Sequence, residues 1–268
     1  MKKIVVAPDS FKGSLTSAEV ADAVERGIKD VFPQCNVVKA GVADGGEGTV
    51  EAIVKAVGGD MYAASVTDPL GRPVKAAYGI VRSGGVKTAV MEMSAASGLP
   101  LLLPDELNPW ITSTYGTGEM ISDALNRGCR KFLVGIGGSA TNDAGTGMLS
   151  ALGVRFLDSR GQRLKGCGRD LESIVRIDMS SLMPAARESE FIVACDVNTP
   201  FCGPDGAARV FAPQKGADPQ TAEALDRGMR SFARVIAGQF QTDIVPLSGA
   251  GAAGGLGGAF KAFLNARL

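Results

Sequence analysis

A stretch rich in glycine and small polar residues, GIGGSATNDAGTG, occupies residues 135–147 and follows the apolar run KFLV. It carries hydroxyl, amide and carboxylate groups but neither Lys nor Arg. Glycine before a helix lets an anion approach the unpaired backbone N–H groups and the positive end of the helix dipole. The stretch is therefore a candidate anion site, and an ordinary turn between a strand and a helix is the alternative.

Two more glycine-rich turns, YGTGE (115–119) and GAGAAGG (249–255), also precede predicted helices. Three such turns in one chain favour anion binding over chance more than one turn does. The residues that we predict to contact a phosphate-bearing cofactor are Gly137, Gly138, Ser139, Thr141, Asn142, Asp143, Gly116, Thr117 and Gly118.

A dinucleotide-binding turn is the rival interpretation of these loops, whereas the P-loop pattern is absent from the sequence. Gly135-x-Gly137-x-x-Ala140 follows a predicted strand, and Asp158 stands at a suitable distance for a ribose contact. Residues 249–254 repeat the glycine pattern, but no strand follows to complete the βαβ unit. Against the rival, Gly145 and Gly147 disfavour the continuous helix that the dinucleotide fold requires.

Polar residues follow the first two predicted strands. Ser10 and Lys12 lie in PDSFKGS, where they could contact an anionic substrate, although a lone lysine is more often a solvated surface residue. Asp44 and Glu47 lie in ADGGEGT and supply the hard oxygen ligands that Mg²⁺ prefers. An Asp-Gly turn with a helix-capping acid is an equal alternative. With Gly45 and Gly46, this segment is a candidate substrate contact.

Further charged residues follow a predicted strand at 191–197. Asp196 at its end is our first choice of catalytic base, and an Asx turn is the alternative. Lys215 and Arg209 are cations that could hold an anionic substrate, though each alone is more typical of surface charge. Lys12 and Asp44 complete the predicted catalytic group.

Composition narrows the chemistry. The 268 residues have zero formal net charge, which gives no field to attract nucleic acid or an anionic membrane. They contain no histidine, which excludes a Ser-His-Asp triad and a His-ligated zinc site within this chain. Five scattered cysteines without a C-x-x-C pair fit a reducing compartment. We predict a cytoplasmic protein with a small-molecule substrate.

Hydrophobic spacing predicts an α/β fold. A buried strand at 3–8 precedes a helix with a Thr16–Glu19 capping box and an apolar face that includes Val20, Val24, Ile28 and Val31. A second strand (36–43) and a helix that ends near Gly58 follow, a βαβα order that favours a parallel sheet. Turn signals in 67–93 predict hairpins and a domain boundary near residue 70.

Several long blocks resemble the first type of bacterial glycerate kinase. They are APDSFKGSLTSAEVADAVERGI, VADGGEGTVEAI, STYGTGEMI, GIGGSATNDAGTGM, ACDVNTPFCGPDGAARVFAPQKGA and SGAGAAGGLGGAF. The resemblance runs from Lys3 to the last residue. It implies phosphorylation of D-glycerate with ATP and Mg²⁺, typically to 2-phosphoglycerate, by two α/β domains that flank a cleft.

On that resemblance, residues 1–70 and 250–268 form a Rossmann-like domain with a parallel sheet, and 71–249 form an inserted domain with a mixed sheet. Members of the family normally continue past FKAFLNARL with further strands that complete the first domain, and this sequence stops at Leu268, so we expect the first domain to be incomplete in the 268 residues. A homodimer is left open. The alternatives to a kinase are an NAD(P)-dependent oxidoreductase and a truncated relative that binds a sugar acid without turnover.

Overall fold

The computed structural model describes residues 3–8, 11, 14–40 and 48–268, except the side chain of Ser83. Its first elements follow the predicted βαβα order: β1 (Lys3–Val6), α1 (Ser17–Val31), β2 (Asn36–Lys39) and α2 (Thr49–Val57). Strands β1 and β2 pair in parallel, as predicted. Strand β2 ends at Lys39, since Ala40 is no longer part of a strand, and residues 41–43 of the predicted second strand lie outside the described residues.

The predicted start of α1 is confirmed, because Thr16 Oγ1 accepts from the Glu19 N–H and the Glu19 carboxylate accepts from the Thr16 N–H. The prediction that the first strand is buried is wrong. Val6 is buried, but 60% of Val5 is exposed, since β1 borders only β2 among the described strands. On the apolar face of α1, Val20 is buried whereas Val31 is exposed.

A larger, mixed sheet has the strand order β3-β4-β5-β6-β9. Its strands are β3 (Gly59–Thr67), β4 (Pro73–Ser83), β5 (Val86–Glu92), β6 (Lys131–Gly135) and β9 (Glu190–Ala194). The first three form the antiparallel hairpins that the turn signals predict. Strands β5, β6 and β9 run parallel, so their carboxyl ends lie at one edge of the sheet.

Helices cover this sheet, and a short antiparallel pair, β7 (Arg155–Leu157) and β8 (Arg176–Asp178), lies outside it. The helices after α2 are α3 (Ser94–Ser97), α4 (Tyr115–Asn126), α5 (Thr146–Ala151), α6 (Pro184–Arg187), α7 (Ala207–Phe211), α8 (Pro219–Phe240) and α9 (Ala252–Leu264). None of the described helices is long and apolar enough to cross a membrane.

Three buried aromatic rings fix α9 against the parallel part of the mixed sheet. The rings of Phe132 on β6 and Phe191 on β9 stack with centroids 4.6 Å apart, and Phe260 on α9 lies 5.8 Å from Phe191. Because aromatic pairs at these distances stabilise a core beyond their buried area, the start of α9 is held beside the carboxyl ends of the strands.

The fold is mixed α/β, with one small parallel sheet and one larger mixed sheet, as predicted. The mixed sheet begins at Gly59, earlier in the chain than predicted. Its first strand, β3, was not among the predicted elements. The division into residues 1–70 with 250–268 and residues 71–249 stays a prediction.

Candidate functional site

A cavity of about 550 Å³ lies at the carboxyl ends of the parallel strands. The register places Glu92 beside Gly135 and Gly135 beside Ala194, so β5, β6 and β9 end side by side. Ligands of open α/β sheets bind at this edge because the loops that leave the strands converge there. The edge of the sheet therefore positions whatever chemistry the loops supply.

The first part of the glycine-rich loop after β6 forms one wall of this cavity. Gly137, Gly138 and Ser139 line it, and Gly138 has the left-handed φ of 72°. The N–H groups on either side are used, since Ile136 donates to the Ala194 carbonyl and Ala140 to the Ser97 carbonyl. Among the described residues, the N–H groups of 137–139 have no acceptor.

The second part of the loop is organised around the buried carboxylate of Asp143 instead. Its Oδ2 accepts from the N–H and Oγ1 of Thr114, both at 2.8 Å, and from the Gly147 N–H at 3.2 Å. Its Oδ1 accepts from the Gly145 N–H at 3.0 Å. Burial raises the pKa of Asp143, and the donated hydrogen bonds oppose this shift. Asp143 thus holds the starts of α4 and α5 together.

The loop does not form a dinucleotide-binding turn. The helix that follows β6 begins only at Thr146, after Gly145 with a φ of 71°, so no helix starts at the Gly135-x-Gly137-x-x-Ala140 pattern. Asp158 caps its own turn by accepting from the N–H groups of Arg160 and Gln162. Of the two glycines that weighed against the rival, Gly145 precedes the start of α5 as expected, whereas Gly147 lies within that helix.

Among the described residues that line the cavity, Lys215 is the cation. It ends a 3-10 turn, only 2% of its surface is exposed, and it lines the cavity wall. Its Nζ donates to the Thr141 carbonyl at 2.7 Å and to Ser139 Oγ at 3.3 Å. Burial lowers the pKa of Lys215 to about 7, and the field of Asp143 opposes the shift. Lys215, a predicted cation, therefore contacts Ser139 and Thr141 in the loop that was predicted to bind phosphate.

Two carboxylates line the same cavity. Asp196 is exposed beyond the end of β9, and Glu92 is buried at the end of β5. Glu92 Oε1 accepts from the Val50 N–H at 3.1 Å, which links the start of α2 to the site. Among the described lining residues, Glu92, Asp196 and Lys215 are the charged ones.

The third glycine-rich turn reaches the cavity from α9. Ala252 and Ala253 line the wall, and Ala253, Gly254 and Gly255 have positive φ angles. The Gly254 carbonyl accepts from the Ala144 N–H, and a Cβ at Gly254 would lie 2.6 Å from the Cα of Asn142. Two of the three predicted turns therefore pack directly against each other.

The turn at the start of α4 lies elsewhere. Gly116, Thr117 and Gly118 are buried and are not part of the cavity wall. A Cβ at Gly116 would overlap the Thr67 carbonyl, so this glycine permits close packing of α4 on β3. Thr117 Oγ1 shares a hydrogen bond of 2.8 Å with Ser97 Oγ. Their nucleotide role stays a prediction.

Four other predicted residues also lie outside the wall of this cavity, among them the buried Asp143 already described. Thr141 and Asn142 are fully buried behind it, and Asn142 Nδ2 donates to the sulfur of Met229. Arg209 pairs with the buried Asp226 at 3.6 Å. The remaining predicted residues lie outside the described residues: Ser10, Lys12, Asp44, Gly45, Gly46 and Glu47.

Several residues that line the cavity were not predicted from the sequence. Glu92 carries the signal that identified Asp196, an acid that ends an apolar strand, and could have been found in the same way. The apolar wall formed by Leu99, Leu101 and Phe211 has no such signal. A second cavity of about 460 Å³, with mainly aliphatic walls, shares residues 194–196 with the first.

No cluster of three His, Cys, Asp or Glu side chains suited to a metal ion occurs within residues 3–8, 11, 14–40 and 48–268. Magnesium bound with a nucleotide needs only one or two carboxylates, since phosphates and waters complete its shell. Glu92 and Asp196 provide such a pair at the described cavity wall. The residues present are therefore compatible with a metal that arrives with phosphates.

Comparisons with known proteins agree with this architecture. The model of the glycerate kinase family matches residues 4–268. The chain is 50% identical to the glycerate kinase of Haemophilus influenzae over 96% of its own length and 67% of the relative, and 47% identical to the glycerate 2-kinase of Escherichia coli K12 over 99% and 69%.

A solved structure from Salmonella typhimurium LT2, described as a glycerate kinase 2, superposes with a TM-score of 0.88 at 46% identity. The match covers 100% of this chain and 71% of that one. The chain therefore spans about 70% of the relatives that it matches, and the match includes the cavity and the loops around it. The chain belongs to the glycerate kinase family.

Proposed function

We propose that this chain transfers the terminal phosphoryl group of ATP to a hydroxyl of D-glycerate, with 2-phosphoglycerate as the product. The observation that carries the proposal is the meeting of Lys215 with Gly137–Ser139 at the carboxyl edge of the sheet, in a chain of the glycerate kinase family. Phosphoryl transfer depends chiefly on positioning and charge neutralisation, which an ammonium and backbone N–H groups supply.

Asp196 is the proposed base. Its carboxylate lies beyond β9 at the cavity wall, where the described structure shows no hydrogen bond to its side chain. The substrate hydroxyl gives its proton to Asp196 as its oxygen bonds to the terminal phosphorus, and the bond from that phosphorus to the bridging oxygen breaks to release ADP. Mg²⁺ neutralises charge on the phosphates when it is bound. Asp44 and Glu47 remain its predicted ligands, and Glu92 is the described alternative.

An oxidoreductase is not favoured, because α5 starts after Gly145 and the fingerprint opens no helix. Incubation with Mg-ATP or NADH separates the two functions. We expect a thermal shift with Mg-ATP and none with NADH, and a shift with NADH alone would contradict the proposal. Release of ADP on addition of D-glycerate would reject a relative that binds without turnover.

The assignment of the base is tested with Asp196→Asn and a matched control, Asp60→Asn. Asp60 is exposed at the opposite edge of the sheet, where β3 begins. We expect kcat to fall by about 10²- to 10⁴-fold in Asp196→Asn and to stay unchanged in the control, with nucleotide affinity preserved in both. Turnover of Asp196→Asn near that of the wild type would show that another group takes the proton. Phosphorus NMR of the product identifies which hydroxyl of D-glycerate has received the phosphoryl group.

A further inference from the structure

Lys215 is a buried amine whose partners in the described part of the chain are neutral. Its Nζ donates to a carbonyl and a hydroxyl, and no described carboxylate lies within ion-pair distance of it. A buried charge without an opposite charge disfavours the folded state, so buried ammonium groups usually have an anionic partner. Because two donated bonds leave one N–H of the ammonium, Lys215 can accept that partner from the cavity.

The adjacent backbone supplies further donors. The N–H groups of Gly137, Gly138 and Ser139 are consecutive and have no acceptor in the described part of the chain. The left-handed conformation of Gly138, with φ of 72°, creates the local concavity in which successive N–H groups bind anions. Ser139 joins the two sets of donors, since its Oγ accepts from Lys215 while its backbone belongs to the loop.

We propose that Lys215 and the backbone of Gly137–Ser139 form a single receptor for the phosphoryl group that is transferred, rather than separate sites for nucleotide and for substrate carboxylate. This assignment rests on the proposed kinase function. A terminal phosphoryl group offers three oxygens and two negative charges, which matches three N–H groups and an ammonium. A carboxylate has two oxygens and one charge, and leaves part of the donor set unpaired.

The receptor also links phosphoryl binding to a proton. The titratable groups around Lys215 are Asp143 behind it and Glu92, Asp196 and Cys195 on the cavity wall. Burial raises the pKa of Cys195, so its thiol stays protonated near neutral pH. Near pH 7 Lys215 is only partly protonated in the ligand-free protein. An arriving phosphoryl group favours the ammonium, so its binding draws a proton onto Lys215.

Calorimetry with a Mg²⁺-bound non-hydrolysable ATP analogue, with Mg-ADP and with D-glycerate tests this assignment. The proteins are the wild type, Lys215→Met and the control Lys165→Met, which removes an exposed lysine. We expect Lys215→Met to lose about 10- to 100-fold in affinity for the analogue, with little change for ADP or glycerate. In the wild type, titrations in buffers of different ionisation enthalpy at about pH 7.5 should show uptake of more than about half a proton with the analogue. Lys215→Met should show none.

Weakened glycerate binding with unchanged analogue binding would overturn the assignment, and so would an equal loss for ADP and the analogue. Analogue binding to the wild type without proton uptake refutes it even if Lys215→Met does not fold. A different result would contradict the proposed kinase function alone. In that result the analogue binds with proton uptake, but addition of D-glycerate to the protein with Mg-ATP releases no ADP. Turnover that does not depend on Lys215 rejects the receptor and leaves the kinase function in place.

Discussion

Replacement of Lys215 by Met should change how the stability of the protein depends on pH. Burial lowers the pKa of Lys215 from the usual 10.5 to about 7. At 1.36 kcal/mol per unit, this shift means that the protonated lysine destabilises the folded state by about 5 kcal/mol. Met has a similar length and no charge, so the variant lacks this destabilisation at every pH.

The direction in which the stability of the wild type changes with pH follows from proton binding. Between pH 7 and 10.5 the unfolded chain binds a proton at Lys215 that the folded protein has released, so the free energy of unfolding of the wild type rises with pH. The destabilisation is complete below pH 7 and disappears above 10.5. Between pH 6.5 and pH 8.5 this destabilisation decreases by about 2 kcal/mol, so the free energy of unfolding of the wild type rises by the same amount.

The assay is urea unfolding of the ligand-free wild type, Lys215→Met and Lys165→Met at several pH values in that range. We expect the free energy of unfolding of Lys215→Met, relative to the wild type, to fall by about 2 kcal/mol as the pH rises from 6.5 to 8.5. The loss of the Nζ hydrogen bonds to Ser139 and Thr141 contributes a largely constant offset. Lys165→Met should parallel the wild type. A difference for Lys215→Met that does not change with pH would refute the inferred burial of the ammonium.

Two further predictions concern glycine packing and helix capping. Gly116→Ala should lower the free energy of unfolding by about 2–3 kcal/mol, because the new methyl group overlaps the Thr67 carbonyl. The control Gly27→Ala, in an open position within α1, should raise the free energy of unfolding by about 0.5–1 kcal/mol. Similar effects of the two changes in urea unfolding would contradict this packing. Thr16→Ala should lower stability by about 1 kcal/mol through loss of the N-cap of α1, and an unchanged urea midpoint would show that the cap contributes nothing measurable.

Local signals predicted the elements that are determined locally. The Thr16–Glu19 capping box marked the start of α1, and the turn after Ser83 marked the hairpin between β4 and β5. Strand β3 was missed because Asp60 and Ser65 interrupt its apolar pattern, and its pairing with β4 determines its conformation. The exposure of Val5 was also missed, since the apolar content of a strand does not reveal what covers it.

The site was predictable to the extent that strand ends and glycine turns mark the edge of a sheet. Sequence indicated Asp196 and the loop at 137–139 as separate candidates, and the parallel register of β6 and β9 places them at one cavity. The contact between Lys215 and Ser139 joins residues 76 positions apart. Neither residue carries a local signal for this contact, because it depends on how the chain returns to the sheet after β9.

That long-range contact explains why the loop after β6 contains no cation of its own. In residues 143–147 the backbone encloses the buried Asp143, and an ammonium there would compete with the N–H groups that hold its carboxylate. A lysine from a separate 3-10 turn avoids this competition. Its position depends on Gly216, whose φ of 95° disfavours a side chain and whose Cβ would overlap the Leu107 carbonyl. The two neutral acceptors then orient Nζ, and the positive charge that Lys215 gains when a phosphoryl group binds is not neutralised by either of them.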